Sequence, residues 1–113
     1  MSPFTQYRPF PNPRKAEYLH APFGPGLYDL RRISTKKPVL FGIGGNCAKR
    51  MTSLLPSDKG GSGSRNNSRK RNYVARHRND IEYRTCALRT KEEAAELERT
   101  IKRELGHLYT FNT

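Results

Sequence analysis

The sequence predicts a small α+β domain, and three observations carry that prediction. Two β-prone runs, residues 26–33 and 38–43, are joined by a short polar turn. A third run, residues 81–88, alternates with the period of a half-buried strand, and segments of helical periodicity stand between and after the strands. With 113 residues, 34% of them hydrophobic, the chain can bury one modest core, which excludes a two-domain enzyme with its own cofactor fold.

The N-terminal segment differs in composition from the rest. Six of the eight prolines fall within residues 1–25, among several aromatic residues, so this stretch cannot be a helix or a central strand. We expect residues 1–23 to form an extended arm and residues 24–113 to form the domain. Aromatic side chains such as Phe4 and Phe10 are expected to fix the arm to the domain surface; stacking on nucleic-acid bases is the alternative.

The middle of the chain predicts two helices separated by a loop. Asn46 is placed to cap a helix that continues to Leu55 and ends before Pro56. Residues 56–68 are rich in Gly and Ser and predict a flexible loop. A short basic helix follows from Arg69 to Arg78.

The last helix has clear boundary signals. Thr90 and Glu93 have capping-box spacing, the helix body covers residues 91–105, and Gly106 predicts its end. The predicted buried stripe consists of Ala94, Leu97, Ile101 and Leu105. Glu98 lies about 40° from the centre of this stripe, so its carboxylate is directed toward the domain, where a cation, a metal or a hydrogen-bond donor must satisfy it.

The charge of the chain indicates a polyanionic partner. Residues 1–79 hold 16 basic and 3 acidic side chains, against 6 and 7 in residues 80–113, and the whole chain carries +12. Such a field favours nucleic acid, because neutralising phosphates releases counterions. A membrane partner is disfavoured, since no strongly amphipathic basic helix with bulky apolar residues is present.

The basic residues are densest in residues 65–78, which contain six Arg or Lys and no acid. A run of this kind is usually a solvated face, but in a protein that binds nucleic acid it becomes a surface that follows the phosphate backbone. The candidate nucleic-acid contacts are Lys49, Arg65, Arg69, Lys70, Arg71 and Arg76.

The expected cellular location of the protein follows from the absence of targeting and membrane-spanning segments in the sequence. No stretch has the length and apolarity of a signal peptide or a transmembrane helix, so we expect a cytoplasmic protein. Cys47 and Cys86 show no CxxC spacing and cannot form a disulfide framework, which predicts a reducing compartment.

Five elements in order resemble the GIY-YIG nuclease superfamily over residues 24–112. They are Gly26-Leu27-Tyr28, Leu40-Phe41-Gly42, Arg50, Glu98 and Asn112. The resemblance implies a three-stranded antiparallel sheet flanked by helices and an endonuclease that cuts double-stranded DNA. It places Tyr28, Arg50, Glu98 and Asn112 in the catalytic site.

One element of the family pattern, the second tyrosine, is absent from this sequence. Phe41 stands there and lacks the hydroxyl, so Tyr73, His77 or Tyr83 is expected to supply the missing polar group. The substitution Phe41→Tyr is expected to raise activity.

The expected chemistry uses one divalent metal and no organic cofactor. A single carboxylate, Glu98, suffices to hold Mg²⁺ or Mn²⁺ together with water and the substrate phosphate. Arg50 would bind the scissile phosphate, and Tyr28 would orient or deprotonate the attacking water. Two alternatives remain open: a non-catalytic member of the family that binds nucleic acid, and a small basic RNA-associated protein.

Overall fold

The computed structural model describes residues 4–11, 20–51, 54 and 65–111, apart from the side chains of residues 65–68. It shows an α+β fold in which strands β2 (Gly26–Arg32), β3 (Pro38–Gly44) and β4 (Ile81–Ala87) form an antiparallel sheet. These strands match the three β-prone runs. β2 lies between β3 and β4, so the hairpin predicted from the polar turn is confirmed.

A fourth strand joins the sheet, where the sequence predicted three. Strand β1 (Arg8–Pro9) pairs antiparallel with the free edge of β4, which gives the order β1-β4-β2-β3. A strand of two residues shows no periodicity, and the prolines around it excluded only a helix or a central strand, not pairing at an edge. Pro9 is tolerated because an edge strand can place a residue without an N–H on its open side.

The first helix begins where its cap predicts. Helix α1 (Cys47–Met51) follows Asn46, whose Oδ1 accepts a hydrogen bond from the Lys49 amide at 3.0 Å. Leu54 lies in a 3₁₀ turn, while residues 52, 53 and 55, over which the helix was predicted to continue, lie outside the described residues.

The basic helix begins four residues before its predicted start. Helix α2 (Arg65–Arg76) includes residues 65–68, which were predicted as loop, and ends two residues before Arg78. The polar residues there have weak helix propensity, but propensity is a weak prior when a helix can pack on a core. Val74 supplies that packing, with 1% of its surface exposed. The rest of the predicted loop, residues 56–64, lies outside the described residues.

The last helix has the predicted bounds but a shorter buried stripe. Helix α3 (Lys91–Leu105) begins at Thr90, whose Oγ1 accepts from the Glu93 amide at 3.1 Å. Ala94 and Ile101 are buried, whereas the prediction for Leu105 is wrong, because 46% of that residue is exposed. Gly106 is the C-cap residue of α3, so the predicted end of the helix is confirmed.

The chain continues past α3 in a right-handed turn. Gly106 has φ −55° and begins a 3₁₀ turn, Gly106–Leu108. This turn carries the chain back to the sheet, where the Phe111 amide donates to the Val39 carbonyl at 2.8 Å. The return path explains why the helix end, with Leu105, is left at the surface.

Two apolar layers cover the two faces of the sheet. On one face, α1 and α2 pack with Phe10 against strand residues such as Leu30 and Tyr83. On the other face, α3 packs through Ile101 onto Leu27 and Phe41. Burying each such side chain contributes roughly 1.5–3 kcal/mol, so the hairpin is held from both sides. Among the described helices, none has the length and apolarity needed to cross a membrane.

Candidate active site

Tyr28 lies at the centre of the hairpin on the face covered by α1 and α2. It pairs with Gly42 of β3, and its ring lies directly over that glycine. A Cβ built on Gly42 would stand 2.3 Å from the Tyr28 hydroxyl, closer than atoms tolerate. The absence of a side chain at position 42 therefore makes room for the ring, which is 4% exposed.

Arg50, in the last turn of α1, reaches the same tyrosine. Its side chain packs close to Gly44, where an added Cβ would lie 3.0 Å from the Arg50 Cβ. The guanidinium donates a hydrogen bond to the Tyr28 hydroxyl. The helix that Asn46 caps thus places a cation beside the buried tyrosine.

Glu98 completes the group from a third element. It is half-buried on α3, and its charge acts on both Tyr28 and Lys70. Arg50 therefore contacts Tyr28 from α1, and Glu98 acts on Tyr28 through its charge from α3.

The environment of Tyr28 favours its neutral form. Burial raises the pKa of Tyr28 above its ordinary value of 10.0, and the neighbouring charges of Cys47 and Glu98 act in the same direction. Arg50 lowers the pKa but does not reverse the shift. Tyr28 is therefore protonated at neutral pH, which suits a residue that orients a water or a phosphate and opposes the expected role as general base.

Lys70 is a fourth member that the sequence assigned only to the phosphate-contacting surface. It is half-buried, and burial followed by the charge of Arg50 lowers the pKa of Lys70, while Glu98 acts against that shift. The charge of Lys102 adds to the lowering. A signal for this position existed: Lys70 precedes Val74 by four residues, so a helix that buries Val74 turns Lys70 toward the same side.

Phe41 is not part of this group. Because Gly42 pairs with Tyr28, Phe41 pairs with Asp29 and points to the opposite face of the sheet. There it is fully buried, and its ring meets Tyr109 edge to face at 4.8 Å. Phe41 therefore does not share a face with the Tyr28 ring, a placement that thirteen residues of spacing did not predict.

The three residues expected to replace the missing hydroxyl also lie elsewhere. Tyr83 is 1% exposed, and its hydroxyl accepts a hydrogen bond from the His20 amide at 2.8 Å. Tyr73 and His77 contact each other at 4.5 Å between ring centroids, and the Tyr73 hydroxyl accepts from Arg32 at 3.4 Å. Arg32 is four residues along β2 from Tyr28, roughly 13 Å away.

The remaining predicted residues fall into two sets. Lys49, Arg69 and Arg76 are exposed, and Arg71 is half-buried. Asn112 and the side chain of Arg65 lie outside the described residues.

Glu98 is the carboxylate near Tyr28 that could hold a metal ion. Within the described part of the chain, no three His, Cys, Asp or Glu residues cluster as a metal-binding group. Glu98 offers one carboxylate in a field set by Arg50, Lys70 and Lys102. Such a positive field repels a free dication, so Mg²⁺ fits here when a substrate phosphate enters with it.

Asp29 forms a second polar group that the sequence did not predict. It is 3% exposed on the α3 face and accepts from Arg84 Nε at 3.0 Å and from the Tyr109 hydroxyl at 2.7 Å. The Tyr7 hydroxyl donates to the same carboxylate at 3.3 Å. Burial, followed by the charge of Asp29, raises the pKa of Tyr109 and of Tyr7, so both remain donors.

The Asp29 group ties distant parts of the chain together. Tyr7 comes from the N-terminal segment and Tyr109 from beyond α3, and the Arg31 guanidinium lies 3.6 Å from the Tyr7 ring centroid. Every donor is matched to a buried acceptor, which is typical of a structural network. The signal in the sequence was an acidic residue between apolar neighbours in a β-prone run.

A comparison with family models, with curated proteins and with solved structures finds no match to this chain. The resemblance to the GIY-YIG nucleases rests on the residues and spacing described above.

Proposed function

We propose that this chain is a GIY-YIG-type endonuclease that hydrolyses phosphodiester bonds of double-stranded DNA with one Mg²⁺ or Mn²⁺ ion. The observation that supports this proposal is the convergence of Tyr28, Arg50 and Glu98 from three separate elements. Arg50, 22 positions after Tyr28, donates to the tyrosine hydroxyl, and the charge of Glu98, 48 positions further on, acts on the same residue. Hydroxyl, guanidinium and carboxylate are the combination that phosphodiester hydrolysis uses.

Each residue has a role that its surroundings support. Arg50 and Lys70 neutralise the charge that develops on the phosphate oxygens, and the guanidinium fork of Arg50 also fixes their orientation. Protonated Tyr28 donates or accepts a hydrogen bond that aligns the water. Glu98 would hold the metal, which when bound supplies Lewis-acid activation of the phosphate.

The basic residues of α2 give the DNA a path to this group. Arg69, Arg71 and Arg76 lie on the same helix as Lys70. Backbone contacts of this kind position a duplex without reading its sequence. Replacing the three arginines by Ala is expected to flatten the slope of log K against log salt by roughly 2–3, since each phosphate contact contributes about −0.9.

The decisive experiment is plasmid cleavage by the purified protein with Mg²⁺, with Mn²⁺ and with EDTA. Metal-dependent cutting is expected, and Glu98→Gln should abolish it while DNA affinity stays nearly unchanged. Glu96→Gln is the matched control, because Glu96 is exposed on the same helix. If Glu98→Gln cuts at the parent rate, Glu98 does not hold the metal.

A non-catalytic nucleic-acid-binding protein is the second candidate function. The raised pKa of Tyr28 and the placement of Phe41 on the other face favour it, because neither tyrosine position then offers a ready base. DNA binding without cleavage under any metal condition would select this candidate.

A further inference from the structure

A cavity of about 250 Å³ lies between α2 and the C-terminal segment. Its lining combines two aromatic rings with three polar side chains: Arg69, Asn72, Tyr73, Arg76 and Phe111. The rings of Tyr73 and Phe111 meet at right angles, with 5.4 Å between their centroids.

The aromatic walls are held in place before any ligand binds. The Phe111 amide donates to Val39 and the Thr110 amide to Pro38, so the C-terminal segment is fixed along the open edge of β3. The Tyr73 hydroxyl accepts from Arg32, which fixes the second ring. A preorganised pair of rings loses little conformational freedom on binding a flat ligand.

The polar lining selects an anionic ligand. Arg69 and Arg76 are exposed and seven residues apart, which places them on one side of α2, two turns from each other. Within the described part of the chain, neither shares an ion pair with a carboxylate. Asn72 stands between them and can hydrogen-bond a base edge or a sugar.

We propose that this cavity binds one unpaired nucleotide of the DNA strand, with its base against Phe111 and Tyr73 and its phosphates on Arg69 and Arg76. The cavity joins a π-surface to cations, as single-strand sites do. A paired base cannot enter, because its edges and faces are already occupied in the duplex.

The inference rests on the proposed endonuclease function and narrows its substrate. Lys70, at the Tyr28 group, is adjacent to Arg69 in α2 and less than one helical turn from Tyr73, a rise of about 4.5 Å along the axis. The unpaired nucleotide therefore lies on the same helix as Lys70, which binds the scissile phosphate in the proposed function, and within a few nucleotides of the cut. DNA with an overhang, a flap or a bulge next to the cut is the substrate class that this arrangement fits.

The test uses the full chain carrying Glu98→Gln, in EDTA, so that binding is measured without cleavage. The probes are a short blunt duplex and the same duplex with an unpaired extension that carries 2-aminopurine, whose fluorescence falls on stacking. The extended duplex should bind about tenfold more tightly than the blunt one, with quenching of the 2-aminopurine. Phe111→Leu should remove both the preference and the quenching, whereas Phe23→Leu, a control at a residue that is 85% exposed, should change neither.

Two further variants keep the test decisive if Phe111→Leu does not fold. Arg69→Gln and Arg76→Gln change exposed side chains, and each should weaken binding of the extended duplex more than that of the blunt one. Equal affinity of the unmodified cavity for both probes, or an unaltered preference in these variants, would overturn the proposal. Cleavage is measured separately with the parent protein. Cleavage of plasmid without any preference for the extended duplex would overturn only the proposed nucleotide site. A preference for the extended duplex without any cleavage would overturn only the proposed endonuclease function.

Discussion

Tyr28 and Asp29 are neighbours on β2, yet they anchor two polar groups on opposite faces of the sheet. The carboxylate of Asp29 is met by Arg84, Tyr7 and Tyr109, so its acceptors are satisfied within the protein. Around Tyr28 the charges do not balance, because two cations, Arg50 and Lys70, act together with one carboxylate, that of Glu98.

The two groups differ in charge balance, because the charges around Asp29 are matched within the protein, whereas those around Tyr28 leave a surplus of cations. A group whose charges and hydrogen bonds are matched internally stabilises the fold and has nothing left for a ligand. A group with more cations than anions retains affinity for an added anion, which here is the phosphate of the proposed substrate. Substitutions on the two faces should therefore affect different quantities.

The largest effect is expected from Arg50→Ala, on the surplus-charge face. The cleavage rate at saturating DNA should fall by about 10²–10³, the loss typical of removing one stabiliser of transition-state charge. Single-turnover cleavage measures it. Lys49→Ala, one residue away and exposed, is the matched control. Small and equal effects from both would mean that Arg50 acts as an ordinary surface cation.

Asp29→Ala is expected to act on stability. Removing the buried carboxylate leaves the Arg84 charge and two tyrosine hydroxyls without their acceptor, so the free energy of unfolding should fall by about 3 kcal/mol. This is the low end of the usual range, because 31% of the Arg84 side chain is exposed. Urea unfolding checks it, with Glu98→Gln as a comparison that should unfold near the parent midpoint. Equal losses from both variants would remove the distinction between the Asp29 group and the Tyr28 group.

Phe41→Tyr is expected to have a smaller effect, opposite to the gain that the sequence suggested. The added hydroxyl would enter the apolar layer formed with Leu27 and Ile101, at a cost of about 1–2 kcal/mol unless it finds a partner. Unfolding and cleavage should be measured on the same preparation. A faster cleavage rate at unchanged stability would show that position 41 does reach the Tyr28 group.

The smallest effect concerns pH and Lys70. Because the pKa of Lys70 is lowered from 10.5, its charged form opposes folding below the folded-state pKa, and this penalty shrinks as the pH rises from that value toward 10.5. DNA binding should change in the other direction, since the phosphate contact is lost as Lys70 deprotonates.

Affinity of the Glu98→Gln variant should therefore fall by about fivefold or less on the alkaline side, below the pH at which an ordinary lysine deprotonates. Adding Lys70→Arg, which keeps the charge, should abolish the fall, whereas Lys49→Arg should leave it in place. If DNA affinity depends on pH in the same way for Glu98→Gln and for Glu98→Gln with Lys70→Arg, Lys70 does not contact the phosphate.

Local sequence patterns predicted the helices and strands, but they did not predict on which side of the sheet every side chain lies. The strands, the Asn46 cap and the bounds of α3 follow from alternation and capping residues, and helical periodicity alone directs Glu98 inward. The side of the sheet on which Phe41 lies depends on the register of Tyr28 with Gly42, which spacing alone does not define. The role of Lys70 depends on where α2 packs, and the Asp29 group requires contacts between segments up to 80 residues apart.

The close approach of Tyr28 to Gly42 also constrains how this protein can diverge. A side chain at position 42 would occupy the volume of the tyrosine ring, so the two positions can change only together. Any descendant that keeps an aromatic residue at position 28 is expected to keep glycine at position 42, and one that acquires a larger residue there will have given up the ring first. Related proteins in which both positions have changed would thus be those that have lost the tyrosine hydroxyl beside Arg50.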